Sequence, residues 1–308
     1  MESIKYLTNK QIDKKKWDAC ISKAGNSLIY GCSFYLDAMA KHWDALVLND
    51  YEAVMPLTWN KKWGIKYLYQ PPFTQQLGIF YKNSLSPRAI TEFLNWACQK
   101  FRFIEIALNY KNNIGAAALP LTFTQNNNFI IPLNTSYTAL HNNYSRAFKK
   151  SLRRVQKFNF IFSQSTNYTN AIALHQKLYG KRVPAVTAND YTNLGRLCME
   201  LLKRDMLFVA EVYSDKDELL GTSILLKDSR RIYNLISCIL PNGKKMEANY
   251  FLYNGIIEFF SGSNLLFDLE GSDLPGVEFF YRKMEPVNQP YPFIKLNRLP
   301  WFIKIFKR

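Results

Sequence analysis

Histidine is the scarcest chemically useful residue in this chain of 308: there are three, His42, His141 and His175. They lie far apart, and none falls in H-E-x-x-H or an equivalent ligand spacing, so metal catalysis is set aside and each reads as a surface or packing residue. The five cysteines (Cys20, Cys32, Cys98, Cys198, Cys238) are odd in number and contain no C-x-x-C pair. That excludes a disulfide framework or a zinc knuckle and fits a reducing, cytoplasmic compartment. No apolar run approaches ~18 residues, and the polar start has no hydrophobic segment behind it, so neither a membrane span nor a secretion signal is expected. Acidic residues are also short, 24 against 40 Lys plus Arg, leaving a net charge of +16. Such a field favours anionic partners: phosphates, nucleic acid, acidic lipid or a phosphorylated cofactor. An RNA-recognition signature is absent, and no sequence-specific DNA binding is expected.

What is plentiful is core material. Hydrophobic residues make up 48% and aromatics 15%, which excludes disorder, and the length suggests about two domains. The order of elements repeats. Strands at 45–48, 53–59 and 65–69, a short strand near 77–81, a helix opening at Pro87 and a strand at 103–108 form one series. Strands at 207–212, 219–226 and 232–239, a helix over 247–260 and a strand at 265–269 form the other. First strand to last spans about 57 residues in one series and about 58 in the other, the mark of a duplicated unit. Further helices are expected over 34–42, 169–182 and 189–204. The join falls near 130–135 without a low-complexity linker. The expected fold is α/β (α+β), with tandem domains over 1–133 and 134–308, each a mixed sheet flanked by helices.

Four segments could carry chemistry. In Pro241-Asn242-Gly243-Lys244-Lys245 a strand runs into a helix, so free N–H groups and the dipole's positive end would converge on a phosphate with Lys244 and Lys245 beside it. The plainer reading is a helix start in which Gly243 turns the chain. Asp268, Glu270 and Asp273 stand at the end of a strand, and alternation puts Asp268 and Glu270 on one face. Either could take the proton of an attacking amine, its pKa raised by burial among Leu265, Leu266, Phe267 and Leu269. Alternatively, Asp268 bonds backbone and Asp273 caps a helix. On the helix around 146–157, Arg146, Lys150, Arg153 and Lys157 share one face and Phe148, Leu152 and Val155 another. The basic face suits tRNA phosphates, a nucleotide-linked substrate or an anionic membrane surface, or is simply solvated. In the loop Tyr69 to Gly78, Gln70, Gln75 and Gln76 could hydrogen-bond a polar acceptor, or brace an interdomain contact. The tail Arg298–Arg308 mixes aromatics and cations, and Trp301 and Ile305 are expected to dock on the domain surface.

The order hairpin, strand, helix, strand resembles the GNAT N-acyltransferase fold. Phe279-Phe280-Tyr281-Arg282-Lys283-Met284-Glu285-Pro286 looks like that family's tyrosine-bearing segment. Doubled, with a basic leading helix and Asp268-Leu269-Glu270-Gly271-Ser272 followed by Pro275-Gly276, the chain is similar to the FemABX-type aminoacyltransferases and their GNAT-like relatives. The resemblance implies that Tyr281 protonates a departing thiolate, that Asn242 to Lys245 hold acetyl-CoA or another acyl-CoA without a metal, and that the second unit is the active half. The Q/R-x-x-G-x-G/A pattern is missing from 242–248, which points to a different donor. The expected activity is N-acyl transfer from an acyl-CoA-type donor to a small-molecule or peptide amine. Its rivals are aminoacyl-tRNA-dependent extension of a peptidoglycan precursor, and a non-catalytic binding protein.

Overall fold

The computed structural model describes residues 3–114, 119–182 and 185–301. The chain divides into two compact units, Met1–Asn126 with Pro290–Arg308, and Asn127–Gln289. In the first, β1 (Ile4–Leu7), α1 (Lys14–Lys23) and α2 (Ser33–Met39) precede a meander of β2 (His42–Leu48), β3 (Ala53–Lys62) and β4 (Ile65–Tyr69). Then come β5 (Phe80–Tyr81), α3 (Pro87–Lys100), β6 (Phe103–Ala107) and β7 (Thr122–Asn126). α3 begins where the residues require it: the Ser86 side chain accepts from the Ala89 N–H, and Pro87 occupies a position whose N–H would be unused. Its buried face, Ile90, Phe93, Leu94 and Ala97, covers Leu46, Met55 and Ile104 of the sheet.

The second unit opens with β8 (Phe129–Pro132), α4 (Tyr137–Asn143), α5 (Arg146–Val155), β9 (Ile161–Ser165), α6 (Tyr168–Tyr179) and α7 (Ala188–Lys203). The meander β10 (Leu207–Tyr213), β11 (Leu219–Lys227) and β12 (Arg231–Ile239) follows. It closes with α8 (Pro241–Lys245), α9 (Ala248–Phe260), β13 (Leu266–Asp268), α10 (Pro275–Arg282) and β14 (Val287–Asn288). The chain then re-enters the first sheet as β15 (Tyr291–Asn297).

The sheet orders are β1-β2-β3-β4-β6-β15-β7 and β9-β10-β11-β12-β13-β8-β14, with β5 attached to β3 in the first. Position by position the two agree. In each, the strand after the central helix lies parallel to the third meander strand, β6 against β4 and β13 against β12, and every other neighbour along the order is antiparallel.

The division differs from the boundary at 133/134 read from the sequence. β8 pairs with β13 and so belongs to the second unit, while β15 inserts between β6 and β7 and belongs to the first. A segmental boundary cannot capture a strand that returns across ~160 residues, because hairpin spacing carries no record of it. Trp301 of the tail, expected to dock on the domain surface, is 75% exposed; Ile305 lies outside the described residues.

Candidate functional site

The pairing of β12 with β13 stops at Tyr233 and Asp268. Beyond that point β12 runs on to Ile239 with no strand partner on this side among the described residues, while the chain leaves β13 through Glu270 and Gly271, both left-handed (φ 55° and 57°). A non-glycine residue there is uncommon, and such outliers gather at functional sites. The parting strands, α6, α9 and α10 line an open cavity of about 290 Å³. Ile236, Ile239, Leu274, Val277 and Phe280 supply apolar walls; His175, Asn234, Ser237, Tyr253, Glu270 and Tyr281 supply the polar groups. A bulge opposite Ile224 and Leu225, where register skips Leu235, re-aims β12 at this spot.

One amide organises the polar side. The Asn234 carbonyl accepts from Ser223 (2.6 Å) and Ser237 (2.8 Å), and its NH₂ donates to the phenol oxygens of Tyr253 (2.8 Å) and Tyr281 (3.1 Å). Tyr253 donates to Ser237 at 3.2 Å and stands 3.0 Å from Tyr281. With Tyr253 donating onward to Ser237, its oxygen is left to accept from the Tyr281 hydroxyl at 3.0 Å, so the proton of Tyr281 stays on its own oxygen and is shared with Tyr253. Burial first, then Tyr253, holds the Tyr281 phenol well above its ordinary range, so it remains an acid.

Glu270 is the opposite case. Its Oε1 is buried with no hydrogen-bond partner among the described residues, and burial pushes its pKa well above the usual carboxylate range. An unpartnered buried carboxyl on a cavity wall is a site waiting for a cation or a proton donor. Burial also pushes His175 down to about 4, which keeps its imidazole neutral; Nδ1 lies 3.1 Å from the Tyr191 hydroxyl.

Asp268 does not join Glu270. The strand ends between them, so alternation no longer governs where their side chains go, and Asp268 takes the Arg231 guanidinium at 2.9 Å and the Asn128 amide at 3.2 Å. Arg231 is held from its other side by Gln289 at 2.6 Å. This is a buried ion pair with its hydrogen bonds filled; it fixes the last paired rung below the cavity and is not placed to take a proton there.

Asn242 to Lys245 do not form the expected phosphate cradle. They make the short helix α8, the Lys244 N–H is bonded to the Leu240 carbonyl, and Asn242 donates to Glu218 at 2.6 Å. Gly243 is buried against β11, where a Cβ would stand 2.1 Å from the Leu220 carbonyl oxygen. The glycine serves close approach of helix to strand, and Lys244 lies over the Tyr179 ring. Gly243→Ala is therefore expected to destabilise the protein by about 1–3 kcal/mol or more, read as a lowered melting temperature.

The glutamines of the first unit are also committed internally. Gln70 donates to the Thr74 carbonyl (2.9 Å) and accepts from the Ala107 N–H (3.0 Å); Gln76 accepts from Tyr110 N–H and donates to Gln75, both at 2.9 Å. With Leu77 bridged to Leu108, the 70–78 segment extends pairing at the end of β6 within the first unit, at the position equivalent to the open end of β13 in the second. Acceptor recognition by Gln70, Gln75 and Gln76 is not what this packing provides.

α5 matches its expected faces: Phe148, Leu152 and Val155 are buried, while Arg146, Lys150, Arg153 and Lys157 are exposed. Arg154 is bound to Glu247, whereas Arg146, Lys150 and Arg153 have no carboxylate partner among the described residues. The start of α5 touches the end of α10, with Ser145 N–H donating to the Lys283 carbonyl. No group of three or more metal-ligating side chains occurs among the described residues, and no described helix is long and apolar enough to cross a membrane.

The sequence matches no protein-family model and no curated protein. Its fold does match solved structures. That of FemX superposes with a TM-score of 0.68 at 11% identity, over 98% of this chain and 99% of FemX. The C-terminal domain of a putative lysylphosphatidylglycerol synthetase from Agrobacterium fabrum gives 0.59 at 10% identity, covering 92% and 91%. L-PGS from Bacillus licheniformis gives 0.52 at 12%, covering 96% and 95%. Together these show a GNAT/FemABX-like fold.

Proposed function

From a FemABX-like fold with an open strand junction in the second unit, we propose that the chain is an N-acyltransferase whose reaction takes place in that unit's cavity. The observation that carries this reading is the pair Glu270 and Tyr281, a carboxyl whose Oε1 is buried without a hydrogen bond among the described residues and a buried phenol that keeps its proton. An ammonium substrate entering the cavity meets Glu270 where burial disfavours both charges. Passing the proton from nitrogen to the carboxylate removes both at once and leaves a nucleophilic amine. The amine attacks the acyl carbon, the bond from that carbon to the carrier breaks, and Tyr281 donates its proton to the departing oxygen or sulfur and regains one from the N–H that the new amide sheds, while the proton on Glu270 returns to solvent.

Two donor classes follow from two observations. The absence of a phosphate cradle over 242–245, with Arg146, Lys150 and Arg153 unpaired on a helix that abuts α10, supports an acyl group carried on a polyanion, as in aminoacyl-tRNA. The likeness in fold to the domain of a putative lysylphosphatidylglycerol synthetase, an enzyme named for a lysyl-bearing product, supports the aminoacyl reading. The partnerless stretch of β12 supports the second reading, an acyl-CoA whose amide-bearing arm lies along it as an added strand. Amine acylation measured with each donor at increasing salt separates them. A tRNA donor should lose affinity by roughly 0.7–0.9 log units per neutralised phosphate for each tenfold rise in salt, and an Arg146→Gln, Lys150→Gln, Arg153→Gln variant should flatten the slope. A shallow slope unaffected by these changes identifies the thioester. Acylation with neither donor would remove the enzymatic reading.

A further inference from the structure

The turn closing the β3–β4 hairpin places Trp63 at φ 50° and Gly64 at φ 79°. Two successive left-handed residues suit the twist of a two-residue hairpin, and Asn, Asp or Gly takes the first position at low cost. An indole there is unfavourable, and burial does not compensate it, because Trp63 is 57% exposed. A second unfavourable choice lies beside it. Lys61 stands directly across from Lys66, and like charges in facing strand positions repel. Lys62 lies over the Trp63 ring at 4.6 Å, and Lys66 over Trp59 at 3.9 Å. None of these three lysines joins an ion pair among the described residues. The turn thus concentrates one exposed indole and three cations at a single tip, where the left-handed tryptophan and the facing lysines cost stability.

We propose that this hairpin tip docks on an anionic lipid bilayer, with the Trp63 indole at headgroup depth and Lys61, Lys62 and Lys66 against acidic headgroups. Indoles prefer that depth, clustered lysines are drawn to anionic leaflets, and the net charge of +16 adds to the attraction. A single-stranded nucleic acid is held in a groove with successive stacking faces, whereas a two-residue turn offers one ring on a convex tip.

The test is flotation of the full chain with phosphatidylcholine vesicles and with vesicles containing phosphatidylglycerol at about one lipid in three, at low salt. Binding is expected to the anionic vesicles only. Trp63→Asn, whose side chain tolerates the left-handed turn, should melt no lower than the parent yet bind severalfold more weakly. Lys61→Gln, Lys62→Gln and Lys66→Gln together should lower partitioning on the order of a hundredfold. Absence of binding to anionic vesicles by the parent, or parental binding by either variant, overturns the proposal. So does Trp63-dependent binding to single-stranded RNA without binding to vesicles.

Discussion

Glu270→Gln is expected to leave the protein folded and to lower amine acylation by about 10²- to 10⁴-fold, the usual contribution of a positioned base. The amide keeps the shape of the side chain and cannot take a proton from the substrate. Its effect on pH dependence is as diagnostic as its effect on rate. In the free protein the carboxyl is held protonated well above the ordinary range by burial. kcat/KM of the parent should therefore rise with pH through that raised value, and the variant should lose this limb. The sign for stability runs the other way. A carboxyl whose folded pKa lies above its unfolded value leaves the native state holding the extra proton, so stability falls as pH rises from the unfolded value near 4.5 toward the folded one. Glu270→Gln should flatten that part of the melting curve and melt higher than the parent at neutral pH. Tyr281→Phe, measured alongside, should slow acylation without that change in the stability profile at neutral pH.

The second large effect concerns how the chain is divided. A fragment of residues 1–133 is expected not to fold, while 127–289 is expected to fold by itself. The first lacks β15, which supplies the strand between β6 and β7 and buries Ile294 and Leu296 completely or nearly so (0% and 3% exposed). Truncating either of two such side chains costs about 2–5 kcal/mol, and a domain's whole margin is about 5–15 kcal/mol. The second fragment contains every strand of its own sheet, β8 to β14. Near-ultraviolet circular dichroism and thermal melting of the two fragments check this. Deleting 290–308 from the full chain should likewise remove the first unit's transition and leave the second's.

The meanders and central helices were legible from the sequence because their signals are local. Ile65–Tyr69 and the Pro87 helix start coincide with the expected elements, and each rests on alternation, turn residues or a cap. The strand exchange was not legible, since β8 and β15 are short apolar runs whose partners are set by the tertiary fold. The site was half legible. Glu270 and Tyr281 line the cavity, but Asp268 was grouped with Glu270 by an alternation that ends before the left-handed turn. Gly243 is ambiguous in the sequence because glycine at a helix start serves phosphate binding and close packing alike, and the nearby Leu220 carbonyl favours packing. Asn234 and Ser237 do carry a signal in the sequence: two polar residues inside the largely apolar run Ile232 to Ile239 must find partners when buried. Tyr253 and His175 gave no such signal, as aromatic residues on helices are ordinarily core.

The most direct test of the cavity as the place of transfer uses Gly276, which lines it from α10 and where an added Cβ meets nothing within 4 Å. Gly276→Trp should fill the space without disturbing the helix. Titration calorimetry of the full chain with two unreactive donor analogues, an aminoacyl-minihelix bearing an amide in place of the ester and a CoA thioether, reads the outcome. One analogue should bind at one molecule per chain, and Gly276→Trp should abolish that binding while the melting temperature holds. Two molecules per chain, binding undiminished by Gly276→Trp, or no binding of either analogue would contradict the account.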